Sequence, residues 1–190
     1  MEGDITLEIK IINATIDIFR EKGVKFTMDD IVSKLGVSKR TLYENIDSKE
    51  TLLSLLVDEV FDSIKKQGQE IIKDNSIDEL EKLKGLLTIV PTSYNTIDYT
   101  KIHEIKKFYP NIYEKIINRL DICWDPTEIL INKCIKDGLI KKVNLNLMKS
   151  VLIGSIRNLI EDDSLHKEKL DYKDTMRNII DIMFDGLVIK

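Results

Sequence analysis

At 190 residues the chain suits one ordinary domain, or a small domain joined to a larger one. Its 43% apolar and 33% charged residues, interrupted by three prolines and eight glycines, describe a soluble globular protein with room for a core and for long helices. No apolar run reaches membrane-spanning length, the acidic start Met1-Glu2-Gly3-Asp4 is unlike a signal peptide, and the net charge of −4 excludes a strongly basic nucleic-acid binder, so the chain reads as cytoplasmic with no membrane partner.

Apolar residues recur at helical spacing and no sustained period-two alternation occurs, so the expected class is all-α, with about nine helices. The first helix is expected over residues 5–22, with Ile9, Ile12, Ile16 and Phe19 as one stripe, Ala14 permitting close approach and Gly23 as C-cap. Thr27 reads as an N-cap, with Asp30 three residues on as a capping-box partner. Residues 28–35 make a second, short helix with Ile31 and Leu35 inward, and Gly36 allows a positive φ in a tight turn. Ser38 caps a third helix over residues 39–45, whose inward residues are Leu42 and Ile46. Asp47 or Ser48 caps a long fourth helix from Lys49, which carries Leu52, Leu53, Leu56, Val60, Ile64 and Ile71.

Asp74-Asn75-Ser76 breaks that helix, and another runs to about Val90, before Pro91. Residues 92–99 read as a loop. Pro110 and Pro126 stand where helices begin, so helices are expected over 111–120 and 127–136, the second closed by Gly138. Two long amphipathic helices follow, over 145–161 and 172–188. Cys123 and Cys134 match no zinc spacing and are too few for a disulfide scaffold, so they read as reduced, buried thiols.

A short helix, a glycine turn and a second short helix make a helix-turn-helix, whose second helix enters the major groove and reads base edges with its N-terminal residues. Those residues are Lys39, Arg40 and Thr41, with Glu44 and Asn45 one turn later. Lys39 and Arg40 can donate to guanine, Thr41 can hydrogen-bond or touch a thymine methyl, and Glu44 can accept from cytosine or repel phosphate. Tyr43 can donate to a phosphate, as can Lys49 at the next helix start, while Thr27, Met28 and Ser38 lie where the backbone passes. Residues 1–50 carry eight Lys and Arg against ten Asp and Glu, so affinity must come from a local face and from dimerisation.

The runs Thr27-Met28-Asp29-Asp30-Ile31, Leu35-Gly36-Val37-Ser38-Lys39-Arg40-Thr41-Leu42-Tyr43 and Ser48-Lys49-Glu50-Thr51-Leu52-Leu53 resemble the DNA-binding domain of the TetR family. Ala14, Phe19 and Gly23 fall where that family's first helix places small, aromatic and terminating residues, and Ile46 stands where it often has an aromatic one. The match covers residues 9–53. It implies a three-helix DNA-binding domain over 1–48 and a larger helical effector-binding and dimerisation domain over 49–190. It further implies a homodimeric, ligand-responsive repressor on a palindromic double-stranded operator, with the helix from Lys49 as a lever between effector and reader.

Tyr94, Tyr99, His103, Phe108, Tyr113, Cys123 and Trp124 gather aromatic and polarisable character in the middle of the chain and are the candidate contacts of a small-molecule effector. Val151, Gly154, Ser155, Met176, Ile180, Met183, Phe184 and Leu187 on the last two helices are the candidate dimer interface. The alternative function is an all-helical interaction module of the same fold that does not bind DNA. With His103 and His166 the sole histidines, and no metal spacing, nucleophile elbow or phosphate loop, the chain is expected to be no enzyme and to hold no cofactor or metal.

Overall fold

The computed structural model describes residues 6–89, 99–122, 124–162 and 172–188. Among these residues ten α-helices follow in order: α1 Leu7–Lys22, α2 Met28–Leu35, α3 Lys39–Asn45, α4 Lys49–Lys73, α5 Glu79–Leu87, α6 Tyr99–Phe108, α7 Pro110–Ile122, α8 Asp125–Lys136, α9 Leu145–Glu161 and α10 Tyr172–Leu187. The all-α class is thereby met, and the sole pairing of extended backbone among the described residues is an isolated bridge between Ile140 and Val188. No described helix is long and apolar enough to cross a membrane.

The chain divides into two compact units. One comprises residues up to Val60 together with Lys101–Ile116, and the other Phe61–Thr100 with Ile117–Lys190. The divisions fall within α4, α6 and α7, so none of these three helices belongs to one unit alone.

The first unit is built around Ile11, Phe26, Ile31, Leu42, Leu52 and Leu53, each fully buried, with Ile46 2% exposed. On α1 the inward face is wider than the sequence stripe and rotated from it. Ile11, Ala14, Thr15, Ile16, Ile18 and Phe19 are buried, whereas Ile9 is 47% exposed. Thr15 can face the core because its hydroxyl donates to the Ile11 carbonyl at 2.7 Å. Thr6 caps α1 by accepting from the Ile9 amide.

Helices α6 and α7 fasten onto this unit. The Lys101 ammonium donates to the Arg20 carbonyl near the end of α1. Glu104 lies 3.7 Å from Lys25, and Asn111 Nδ2 reaches Glu50 Oε1 at 3.5 Å. Gly23, at φ 58°, sits so close beneath α6 that a Cβ there would stand 3.1 Å from Glu104 Oε2 and 3.2 Å from Lys101 Cγ. The elements expected from the sequence pass from the loop over residues 92–99 to the helix over 111–120, so α6 is a helix beyond that expectation. Ile105 is its buried residue in the first unit's core.

In the second unit α5 packs on α8 and, less extensively, on α10. Leu83, Ile131 and Cys134 are fully buried, joined by Leu152, Ile156, Leu159 and Ile160 of α9 and by Met176, Ile180 and Phe184 of α10. Glu79 ties α5 to α8, receiving Lys133 at 2.8 Å and the buried Lys82 at 3.4 Å. The Cys134 thiol donates to the Glu79 carbonyl at 3.5 Å, and burial pushes its pKa up to about 11. Cys134 is therefore the buried thiol expected, while Cys123 lies outside the described residues.

The last two helices require a correction. Met176, Ile180 and Phe184 are each 1% exposed, because they point into the core of their own chain. They are not available to a second chain. The apolar surface that these helices leave open is Leu147 at 64%, Val151 at 46% and Ile182 at 75% exposed, with Gly154 exposed on α9. Met183 and Leu187 are half-buried, and the Ser155 hydroxyl donates to the Val151 carbonyl of its own helix.

Candidate nucleic-acid interface

Local chemistry sets the geometry of the two short helices. The Thr27 hydroxyl accepts from the Asp30 amide at 3.2 Å while the Asp30 carboxylate accepts from the Thr27 amide at 2.8 Å, a complete capping box. The Lys22 ammonium, 2.7 Å from Asp30 Oδ1, is the largest cause holding that carboxyl below its ordinary value. Gly36 closes α2 at φ 65°, and its amide donates to the Val32 carbonyl at 2.9 Å. Nothing lies within 4 Å of a Cβ built there, so glycine is required by backbone conformation and not by space.

Ser38 caps α3 by accepting from the Thr41 amide at 3.0 Å, and its hydroxyl also meets that of Thr41 at 2.8 Å. Leu42 and Ile46 anchor α3 in the core. The opposite face is left to solvent: the Arg40 side chain is 88% exposed, Lys39 64%, Glu44 58%, and Tyr43 49%. Asn45 turns back to donate to the Thr41 carbonyl at 2.8 Å. Ser48, the second of the two predicted caps, caps α4 through the Thr51 amide at 3.0 Å.

Two features of this face were not legible in the sequence. Lys39 donates to Asp29 of α2 at 2.9 Å, which raises its pKa, and Arg40 donates to Glu44 at 2.9 Å. Lys49 faces inward: its ammonium donates to the Val24 carbonyl at 2.5 Å, 4.5 Å from the centre of the Phe26 ring and 5.7 Å from that of Tyr109. The expectation of a phosphate contact from Lys49 gives way to a structural role. That ammonium joins the turn after α1, the start of α4 and the junction of α6 with α7.

The candidate effector residues are not gathered in one unit. His103, Phe108 and Tyr113 belong to the first unit, Trp124 to the second. Tyr113 and Trp124 are buried and His103 is half-buried. Phe108 is 56% exposed, with the Lys107 ammonium 5.5 Å from its ring, and lies on the surface rather than in an interior site. Tyr94, Cys123 and the Tyr99 side chain lie outside the described residues. No cluster of His, Cys, Asp and Glu able to hold a metal occurs among the described residues.

A Ser-capped short helix that buries Leu42 and Ile46, exposes Lys39, Arg40 and Tyr43 and leaves Thr41 half-buried at its start has the build of the recognition helix of a helix-turn-helix DNA-binding regulator. Residues 11–56 match the model of the bacterial regulatory proteins of the tetR family. A curated relative from Bacillus subtilis strain 168, an uncharacterized HTH-type transcriptional regulator called YvaF, is 26% identical over 181 residues, 95% of each chain. Among solved structures, FadR from Bacillus subtilis in complex with stearoyl-CoA superposes with a TM-score of 0.66 at 18% identity, over 94% of this chain and 98% of that one. The regulator PfmR from Thermus thermophilus does so with a TM-score of 0.62 at 20% identity, over 93% and 97%. The likeness to the tetR-family model is thus carried by residues 11–56, which span α2, α3 and parts of α1 and α4, and the rest of the chain shares the fold of the solved regulators.

Proposed function

We propose that the chain is a ligand-responsive homodimeric repressor that reads a palindromic operator with α3. The observation that carries the reading is the orientation of α3: Leu42 and Ile46 fix it from beneath, so Lys39, Arg40, Thr41 and Tyr43 are presented together. Glu44 discriminates between bases, Thr27, Met28 and Ser38 approach the phosphates, and the amide-rich start of α4 adds an anion-binding helix end.

Residues 1–48 act as reader and 49–190 as effector-binding and dimerisation domain. The likeness in fold to a regulator solved with stearoyl-CoA supports a small organic effector, with Tyr94, Tyr99, His103, Tyr113, Cys123 and Trp124 as its proposed contacts. Dimerisation uses the exposed Leu147, Val151, Gly154 and Ile182.

Selection of duplexes from a random-sequence pool tests the reading. Enrichment of a palindrome is expected, with salt-sensitive binding that weakens at least tenfold on Arg40→Ala and about threefold on Tyr43→Phe. Enrichment of no duplex at any salt concentration would instead favour an interaction module that has kept the fold.

A further inference from the structure

The DNA reader is electrostatically closed on itself. Of the eight Lys and Arg in residues 1–50, six form ion pairs with carboxylates: Arg20 with Asp17, Lys22 with Asp30, Lys25 with Glu104, Lys34 with Asp17, Lys39 with Asp29 and Arg40 with Glu44. A seventh, Lys49, is taken by a carbonyl. For four of the six the partner helps hold the unit together or is a neighbour on one helix remote from α3. The pairs of Lys39 and Arg40 are different, because they occupy the cations that face DNA.

We propose that Asp29 is a specificity-determining residue of the reader: its carboxylate holds the Lys39 ammonium, as Glu44 holds Arg40, so that a duplex gains these cations only where its base edges and phosphates outbid the carboxylates. The inference rests on the reading of α3 as the DNA-binding helix. Both ion pairs are well exposed, with side-chain exposures of 64% and 62% for Lys39 and Asp29 and 88% and 58% for Arg40 and Glu44. Such pairs are weak, which is what a releasable catch needs. A cation that meets a phosphate releases counterions condensed on the duplex, but the carboxylate it leaves recruits cations from solution, so the net release is smaller. Non-specific binding, which rests on counterion release, is therefore suppressed. A matched site adds hydrogen bonds to base edges that a mixed sequence lacks, and these are retained after the pairs break. An acidic chain can in this way bind a matched site while ignoring bulk DNA.

Asp29 also stands in the first turn of α2, where a carboxylate favours the helix by itself. The test therefore asks whether its effect passes through Lys39. Wild type recovers a duplex from a random pool, and binding to that duplex and to a mixed-sequence duplex of equal length is followed across a salt series. Wild type, Asp29→Asn, Lys39→Gln and the double variant are compared, with Asp29→Ser as a second helix-compatible replacement. Asp29→Asn is expected to tighten mixed-sequence binding about fivefold at low salt, to tighten the recovered duplex less than twofold, and to steepen the salt dependence. In the Lys39→Gln background the gain disappears. An equal gain on both duplexes, no gain at all, or a gain that survives Lys39→Gln overturns the proposal while leaving the recovered duplex intact. If wild type recovers no duplex, the DNA-binding reading itself has failed and the proposal goes with it.

Discussion

The Lys115 ammonium of α7 lies 2.5 Å from Asp58 Oδ2 of α4 and donates to the Ser54 hydroxyl at 2.7 Å and the Ser54 carbonyl at 3.0 Å. Three contacts from one side chain, 29% exposed, fix α7 along one face of α4 within the first unit. Lys115→Met removes all three and leaves Asp58 with a charge facing an apolar chain. A loss of about 1–2 kcal/mol in stability is expected, read as a lower urea midpoint with an unchanged slope. Because the remaining Asp58 charge causes part of that loss, Lys115→Met with Asp58→Asn should be more stable than Lys115→Met alone.

Gly36 and Ser38 make separable contributions to the turn that aims α3. At φ 65° and in open space, Gly36 tolerates a side chain's volume but not its backbone preference. Gly36→Ala should cost about 1 kcal/mol and Gly36→Asn less, since Asn enters the left-handed region more readily. Ser38→Ala removes the cap on the Thr41 amide and should cost about 1 kcal/mol. Thermal unfolding ranks the three variants, and equal losses for Ala and Asn at position 36 would show that φ is not the constraint.

The reader was legible in the sequence because its signals are local. A Thr and an Asp three residues apart, a glycine and a Ser cap each act within one turn of helix, and the structure places α2 and α3 at the expected bounds. What could not be read is contact between residues distant along the chain. Asp29 meets Lys39 across a turn, Lys101 meets Arg20 across 81 residues, and Lys115 meets Ser54 across 61. The same gap explains the error on α10. A broad apolar stripe states that a helix face is buried, not whether its own chain or a second chain buries it. Here α10 gives Met176, Ile180 and Phe184 to its own core and leaves Ile182 outside.

On the proposed dimer interface, that division separates assembly from folding. Val151, 46% exposed on α9, can accept a charge without disturbing the protomer, whereas Met176, 1% exposed, cannot. Val151→Asp is expected to give a folded monomer by sedimentation, with an unaltered helical circular dichroism spectrum and DNA affinity at least tenfold lower, since one reader then binds alone. Met176→Asp buries an unpaired charge and should unfold the chain or cost more than about 3 kcal/mol. A Val151→Asp protein that still sediments as a dimer would move the interface away from this face of α9.

Glu79 gives the second unit a defined acid response. The Lys133 ammonium, hydrogen-bonded to its carboxylate, is the largest cause holding the Glu79 pKa below its ordinary 4.5. A depressed carboxyl binds its proton less readily folded than unfolded. Its contribution to stability is therefore complete above about pH 4.5 and is lost as pH falls through the lower folded value. Glu79→Gln removes that dependence, so urea midpoints measured from neutral pH down to about pH 3 should fall less steeply than in wild type. The alkaline side has the opposite sign. Lys133, raised above 10.5 by the same hydrogen bond, contributes below that value and ceases to as pH rises through its folded pKa. The Cys134 thiol, shifted from 9.0 to about 11, likewise stabilises the fold below 9.0 and ceases to as pH climbs through about 11. Cys134→Ala should flatten the alkaline limb and leave the acid limb as it was. An acid limb that Glu79→Gln does not change would mean that the pair with Lys133 is no stronger folded than unfolded.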